Sequence, residues 1–312
     1  AAGTGNPMPT PLPPLRLGTR GSALALWQAR HIQARLAPVS PRPVELTLIE
    51  TDGDRDQATA LSAMGGFGVF TKAIQTALLD GRADVAVHSL KDLPTIPVPE
   101  LTLAAVPARG PTGDAFVSTR HARFQDLPRG ATVGTSSLRR RSQLLHQRPD
   151  LKLVELRGNV ETRLRKLDDQ NLDAIVLAEA GLVRLGLQNR VAELLPQDWM
   201  LPAVGQGAIG LECRTDDGDA AHLVGGLTDP DTMARVLAER AMLWALGGGC
   251  LVPIGATSAV TDGVLTLRGT VLNVTGTRRV VATHRGPADT PLAVGQELAA
   301  KLLDEGAAEL LA

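Results

Sequence analysis

Short apolar runs along the chain alternate with stretches whose apolar residues recur every three or four positions, and the junctions fall on Gly, Ser, Thr or Pro. Leu15-Arg16-Leu17 opens a strand that runs through Gly18-Thr19-Arg20-Gly21 into Ser22, a good N-cap; Ala25, Ala29, Ile32 and Leu36 then repeat at helical spacing. Val44 to Glu50 alternates as a second strand, Phe70 to Leu79 predicts a helix, and Val85-Ala86-Val87 reads as a strand buried on both faces in a parallel sheet. From Thr132 the pattern repeats. Thr132-Val133-Gly134-Thr135-Ser136-Ser137 again gives strand, turn and helix start, 151–156 a strand, 160–167 a helix, and Asp173 to Leu177 echoes Asp84 to Val87. The fold class is therefore α/β, with two similar doubly wound lobes facing each other across a cleft. Leu201 to Leu211 is an apolar strand with a Gly-rich lead that returns to the first lobe. A helix over 231–246, strands over 252–260, 264–272 and 279–284, and a helix over 292–303 predict a small α+β C-terminal domain with a three-stranded sheet. The expected boundaries are 15–107 with 201–228 for the first lobe, 108–200 for the second and 229–312 for the last domain. Residues 1–14, rich in Ala, Gly, Thr and Pro without a basic start or apolar stretch, are expected to be a disordered tail.

Composition narrows the class. With 312 residues, 44% of them hydrophobic, and a formal charge of −1, the chain is expected to be soluble and globular, without the basic excess of a nucleic-acid surface. No apolar run approaches the roughly 20 residues of a membrane helix. Cys213 and Cys250 make no disulfide framework, which points to a reducing cytoplasm. The basic residues are uneven: only Lys72, Lys91, Lys152, Lys166 and Lys301 are lysine among 32. Arginine pairs carboxylates and phosphates with a planar fork, but a GC-rich genome gives the same bias, so position has to decide.

Position favours an anion site. Arg20, Arg139, Arg140, Arg157, Arg163 and Arg184 lie in or just after turns that follow predicted strands, at the end of the lobes where ligands bind. Ser89, Lys91 and Asp92 follow the buried strand directly, and Pro94 stops it. A single carboxylate, Asp92, among so many guanidiniums suits a cationic centre inside an otherwise anionic ligand. Cys250, after three glycines, reads as an accessible nucleophile or attachment point, whereas Cys213 reads as buried and structural. His88 is expected to be a satisfied buried imidazole, and the scattered His and Cys predict no metal site. The acidic, polar stretch 51–68, ending in Gly65-Gly66-Phe67-Gly68, is expected to be a mobile lid.

Six ordered segments sharpen this into a resemblance: Thr19-Arg20-Gly21-Ser22 with Leu24 to Gln28; Val87 to Asp92; Val133 to Arg140; Leu156 to Val160 with Thr162-Arg163-Leu164; Leu201 to Ala208; and Gly248-Gly249-Cys250. From Leu15 to about Leu311 the chain resembles the porphobilinogen deaminase (hydroxymethylbilane synthase) family. The resemblance implies lobes similar to two-lobed periplasmic binding proteins, and a transferase whose dipyrromethane cofactor is joined by a thioether to Cys250. In that family each porphobilinogen loses ammonia to give a cationic methylene-pyrroline, which is attacked by the terminal pyrrole; after four additions water releases hydroxymethylbilane. By motif, Asp92 is implied as the catalytic residue. Ser89, Lys91, Asp92, Thr135, Ser137, Arg139, Arg140, Arg157 and Gly158 are implied to hold the cofactor, and Arg20, Ser22, Arg157, Arg163, Arg184 and Gln206 the substrate. The implied setting is a cytoplasmic monomer of heme and porphyrin biosynthesis, with no nucleic-acid or membrane partner. Two departures stand out: Phe67 where members usually carry Lys, and Lys72-Ala73-Ile74-Gln75 where they carry K-E-[IL]-E. A two-lobed binding protein for a small polycarboxylate also explains the lobes and arginines, but leaves Cys250 and the third domain unused.

Overall fold

The structure is a computed structural model that describes residues 12–50, 71–248 and 252–311. The start of the expected tail, the lid expected over 51–68 with Gly65, Gly66, Phe67 and Gly68, and Cys250 lie outside the described residues.

In the first lobe, strands β1 (Leu15–Thr19), β2 (Val44–Leu48), β3 (Val85–Ser89), β4 (Leu101–Ala105) and β10 (Ile209–Arg214) form a sheet in the order β2-β1-β3-β10-β4. Helix α1 (Ala23–Leu36) starts where the sequence predicts, because the Ser22 side chain accepts from the Ala25 N–H. Its Ala29, Ile32 and Leu36 pack on Val85 and Val87. Helix α2 (Lys72–Leu79) covers the other face, with Ile74, Ala77 and Leu78 against Ala83 and Ala86. Both faces of β3 are thus covered, as its apolar run requires. The expectation of a parallel sheet needs one correction: β1 pairs parallel with β2 and β3, but β10 pairs antiparallel with β3 and β4.

The second lobe repeats the plan. Strands β5 (Asp114–Val117), β6 (Thr132–Gly134), β7 (Lys152–Val154), β8 (Ala174–Ala178) and β9 (Glu193–Leu194) are ordered β7-β6-β8-β5-β9. Again the first strand of the motif lies parallel to its two neighbours, and one antiparallel strand follows. That strand is β5, which enters straight from the 107–113 link, just as β10 enters the first sheet straight from the 201–208 link. Each link therefore delivers the antiparallel strand of the sheet it reaches. Helices α3 (Leu138–Gln147), α4 (Val160–Asp169) and α5 (Glu179–Arg184) accompany this sheet, the first two capped by Ser137 and Asn159. Helix α6 (Gly218–Gly225) follows β10 and buries Ala220 and Val224 in the first lobe.

The C-terminal part is the expected antiparallel sheet β11 (Ile254–Thr261), β12 (Val264–Leu272) and β13 (Arg279–Pro287), packed on helices α7 (Pro230–Ala245) and α8 (Pro291–Asp304) with a short α9 (Ala307–Leu311). No helix among the described residues is long and apolar enough to cross a membrane.

The parts meet at one buried ion pair. Glu239 of α7 is fully buried and takes both arms of Arg109, at 2.7 and 2.9 Å. It also accepts from the Gly205 N–H and from the Ser258 hydroxyl, while Arg109 Nε donates to the Gln206 carbonyl at 2.8 Å. Burial pushes the Glu239 carboxyl up, but Arg109 beside it and these hydrogen bonds outweigh that and hold it below the ordinary carboxylate range. Both links and two elements of the last domain thus close on one charge. At Gly207, φ is +82° and a Cβ would collide with the Pro111 carbonyl, so the two links come closer than any side chain permits.

Arg109→Met should strand the Glu239 charge and lower unfolding stability by about 3–5 kcal/mol, measured by urea titration. The double change Arg109→Met with Glu239→Gln should recover part of the loss, because no bare charge then remains buried.

Candidate functional site

The cleft residues stand on the ends of matched elements. In the first lobe β3 runs into a 3-10 turn, Leu90–Asp92. Leu90 N–H donates to the Ala208 carbonyl at 3.0 Å, and Arg240 of α7 donates to the carbonyls of Leu93 and Pro94 at 2.8 and 2.7 Å. The last domain therefore braces the turn that carries Lys91 and Asp92, both half-buried. Ser89 is held from α1, where the buried Gln28 amide donates to its hydroxyl oxygen at 2.9 Å. Arg20 is half-buried in the turn after β1, next to the capping Ser22.

In the second lobe Ser137 caps α3, accepting from the Arg140 N–H, and Thr135 is buried beside it. Arg139 and Arg140, expected to hold the cofactor, come together on one acid, and Arg139 Nε is buried with no partner among the described residues. Both are buried on Asp114, the first residue of β5: Arg139 reaches its two oxygens at 2.6 and 3.2 Å, and Arg140 takes Oδ1 through Nε at 2.9 Å and Nη2 at 2.7 Å. Burial alone would raise the Asp114 carboxyl, but the two guanidinium charges and their hydrogen bonds hold it well below the usual range. Gln206 joins them: its amide donates to the carbonyls of Thr112 and Gly113 and to Asp114, at 2.8, 3.1 and 3.2 Å, and its Oε1 is buried with no partner among the described residues. These residues form one buried cluster, and one carboxylate shared by two arginines leaves it a net positive charge.

Two further cations lie in the field of this cluster. Burial pushes the Lys91 ammonium down to about 8; Asp92 works against this, while Arg140 and Arg139 reinforce it. Arg163 is pushed down to about 10 by burial, with Arg140 and Arg157 adding to the effect and Asp92 opposing it. Asp92 of the first lobe and Arg163 of the second thus lie within each other's field. Arg163 is aimed by its Nε donating to the Gly158 carbonyl at 2.8 Å, and Gly158 sits at φ +115°, where a Cβ would lie 2.6 Å from the Thr162 methyl. Arg157 keeps one guanidinium nitrogen, Nη1, buried without a partner among the described residues. A buried donor with no partner among the described residues, beside cations disfavoured first by burial and then by one another, suits a ligand that brings carboxylates.

Arg184 lies apart from this group. Its Nη2 donates to the Gly207 carbonyl at 2.7 Å, and its guanidinium lies 5.5 Å from the Trp27 ring centroid, with His31 stacked beyond. It lines a groove of about 470 Å³ with Ala23, Trp27, Arg30, His31 and Leu185, joining the lobes at their outer contact. His88 and Cys213 are as expected: the imidazole is buried on Glu212 at 2.9 Å, and burial pushes the Cys213 thiol up to about 12, which keeps it inert. Sequence reasoning missed Asp114, Gln28, Arg109, Glu239 and Arg240. The signal for Asp114 was an acid directly after the Pro-Thr-Gly link; for Gln28 it was a polar residue on an otherwise apolar helix stripe.

Residues 15–222 match the family model "Porphobilinogen deaminase, dipyromethane cofactor binding domain", and residues 233–304 match "Porphobilinogen deaminase, C-terminal domain". A porphobilinogen deaminase of Geobacter metallireducens is 50% identical over 299 residues, covering 96% of this chain and 94% of that protein. One from Chromobacterium violaceum is 50% identical over 298 residues, covering 95% and 96%. Among solved structures, a periplasmic substrate-binding protein of an ABC transporter from Coxiella burnetii is 16% identical over 72% of this chain and 96% of that one, with a TM-score of 0.45.

In a Cys250→Ser chain, binding of a small dicarboxylate such as succinate should weaken as the pH rises through about 8, because an anion prefers protonated Lys91 and the site's Lys91 loses its proton there. Isothermal titration from pH 6.5 to 9.5 checks this, and Lys91→Arg should flatten the dependence.

Proposed function

The chain belongs to the porphobilinogen deaminase family, and from that premise we propose what its own residues do in joining four porphobilinogen units head to tail, with loss of ammonia, and releasing hydroxymethylbilane. The family's cofactor is a dipyrromethane; when bound, it supplies a pyrrole with a free α-carbon to which the units are joined. The unpartnered Arg157 nitrogen and the crowded cations fit a group that carries carboxylates.

In this reading Ser89, Lys91, Thr135, Ser137, Arg157 and Gly158 hold the cofactor and Cys250 carries it through a thioether. Arg20, Ser22 and Arg163 hold the acetate and propionate of the incoming porphobilinogen. Arg139 and Arg140 act through Asp114, keeping the cleft positive, and Arg184 and Gln206 hold the lobes in register around it. Asp92 is the catalytic carboxylate. As the aminomethyl C–N bond of porphobilinogen breaks, ammonia leaves with the bonding pair and positive charge spreads over the methylene carbon and the pyrrole nitrogen. A fixed carboxylate there lowers the energy of that charge, and more so in a cleft shielded from water. The observation that supports the reading is that Lys91 of the first lobe and Arg163 of the second both lie in the field of Asp92, while the other acid acting on Lys91, Asp114, is already paired with two arginines. The lobes in this reading are 15–107 with 201–228, and 108–200, with 229–312 as the anchoring domain of a cytoplasmic monomer. A two-lobed polycarboxylate receptor needs neither Asp92 nor the third domain that braces its turn.

Asp92→Asn keeps the shape and removes the charge, so kcat should fall about a hundredfold or more with the thermal melt little changed. Turnover near that of the unaltered chain would exclude Asp92 from the role. Separately, the denaturing mass spectrum of the unaltered chain should exceed its sequence mass by two pyrrole units, and that of Cys250→Ser should not.

A further inference from the structure

The groove between helix α1 of the first lobe and the end of α5 of the second, about 470 Å³ in volume, is lined by Ala23, Trp27, Arg30, His31, Arg184 and Leu185. Every ionisable group on that lining is basic. Helix α1 carries no acid anywhere along Ala23–Leu36, so Arg30, His31 and Arg35 are the only ionisable groups on its exposed side. A helix face that merely meets water usually mixes both signs of charge. Arg184 reaches the groove from the other lobe. Its Nη2 donates to the Gly207 carbonyl and its guanidinium lies over Trp27, so it meets a neutral oxygen and a ring but no acid. Burial pushes it down to about 10, with no carboxylate opposing the effect. The neighbouring elements bring no acid to the groove either. Glu179 of α5 lies against Gly113, Glu45 of β2 is exposed outside the groove, Arg16 of β1 pairs with Asp84, and His88 of β3 is buried on Glu212.

The rest of the lining is apolar. Trp27 is 36% exposed, its ring stacked with the His31 imidazole at 5.1 Å and 7°, and Ala23 and Leu185 add apolar surface. Basic groups around an apolar floor match a ring that carries acids, because carboxylates pair with the guanidinium forks while the ring covers the floor. We propose that this groove binds an aromatic or heteroaromatic acid with two or more carboxylates, held by Arg30 and His31 of the first lobe and by Arg184 of the second. An acid seated there bridges the lobes. It also gives Arg184 the counter-charge that the described residues do not supply. Burial, and then the charges of Arg35 and Arg184, hold the His31 imidazole below its ordinary value, so it is mostly neutral at pH 7. An anion beside it favours the charged ring. A bound acid therefore raises the His31 pKa and, by linkage, binds more tightly as the pH falls through it. None of this depends on the role of Asp92.

Titration of the cofactor-loaded enzyme with benzene-1,3,5-tricarboxylate tests it, with the His31 ring followed by NMR and its signal assigned by its loss in His31→Phe. The probe should raise the His31 pKa by about one unit, and bind about tenfold more tightly below that titration than above it. In Arg30→Met, an exposed position, the same shift should need about fivefold more probe or beyond. Citrate, with three carboxylates and no ring, should move His31 less, a comparison that needs no variant. Binding in the cleft is told apart by its own pH limb near 8, which Lys91→Arg flattens and His31→Phe leaves in place. Porphobilinogen is itself a ring acid, and adding it to the Cys250→Ser chain, which has no primer, identifies the source. The same shift at His31 makes the enzyme's own substrate the ligand, and a shift with the tricarboxylate alone assigns the groove to another ring acid. A His31 pKa unmoved at about 10 mM tricarboxylate, where even a millimolar site is filled, overturns the proposal. So does an Arg30→Met chain that responds at the same concentration as the unaltered one. Citrate acting as well as the tricarboxylate overturns the assignment to a ring.

Discussion

Two buried guanidiniums sharing one buried carboxylate is the constraint on which the second lobe and both links depend. Asp114 cannot be buried bare, and neither can Arg139 or Arg140; together they are tolerated because every oxygen of the acid is bonded and one positive charge is left over. The three residues come from the strand that the first link delivers and the helix that the second-lobe turn starts, with Gln206 of the second link as a fourth member. The same cluster that welds the second lobe to both links therefore also sets the sign of the potential in front of it, and the proton affinities of Lys91 and Arg163 respond to it.

The third domain does more than hold a cysteine. Through Arg240 it grips the carbonyls just past Asp92, and through Glu239 it grips Arg109 and Gly205 at the two links. One helix, α7, thus touches the turn that carries Asp92 and the junction of the lobes. A displacement of that helix moves both the turn that carries Asp92 and the junction of the links, so the last domain and Asp92 share one mechanical frame.

Much of this was legible in the sequence where local chemistry decides the structure. Ser22, Ser137 and Asn159 cap their helices as their residue types suggest, and the apolar runs of β3 and β8 are buried on both faces. Strands β4, β5 and β9 were not legible, because each is short and lies among Pro, Gly or charged residues, and the antiparallel pairing of β5 and β10 is decided by partners far along the chain. The partners of the arginines were not foreseen: Asp114 is distant in sequence from Arg139 and opens a strand that local pattern does not announce. Gln75, which departs from the family's usual acidic residue, donates to Glu212, well over a hundred residues away.

The exchange of antiparallel strands between the links has a consequence for how the chain acquires its shape on leaving the ribosome. The second sheet is encoded without interruption from Asp114 to Leu194, so it can close as soon as that stretch has emerged. The first sheet is not. β3 and β4 must wait for β10, which pairs Ile209 with Ser89 only after the whole second lobe has been made. The earlier-synthesised lobe is thus the later one to finish, and until then an apolar strand edge stands open beside the nascent chain, where it needs shelter from other strands.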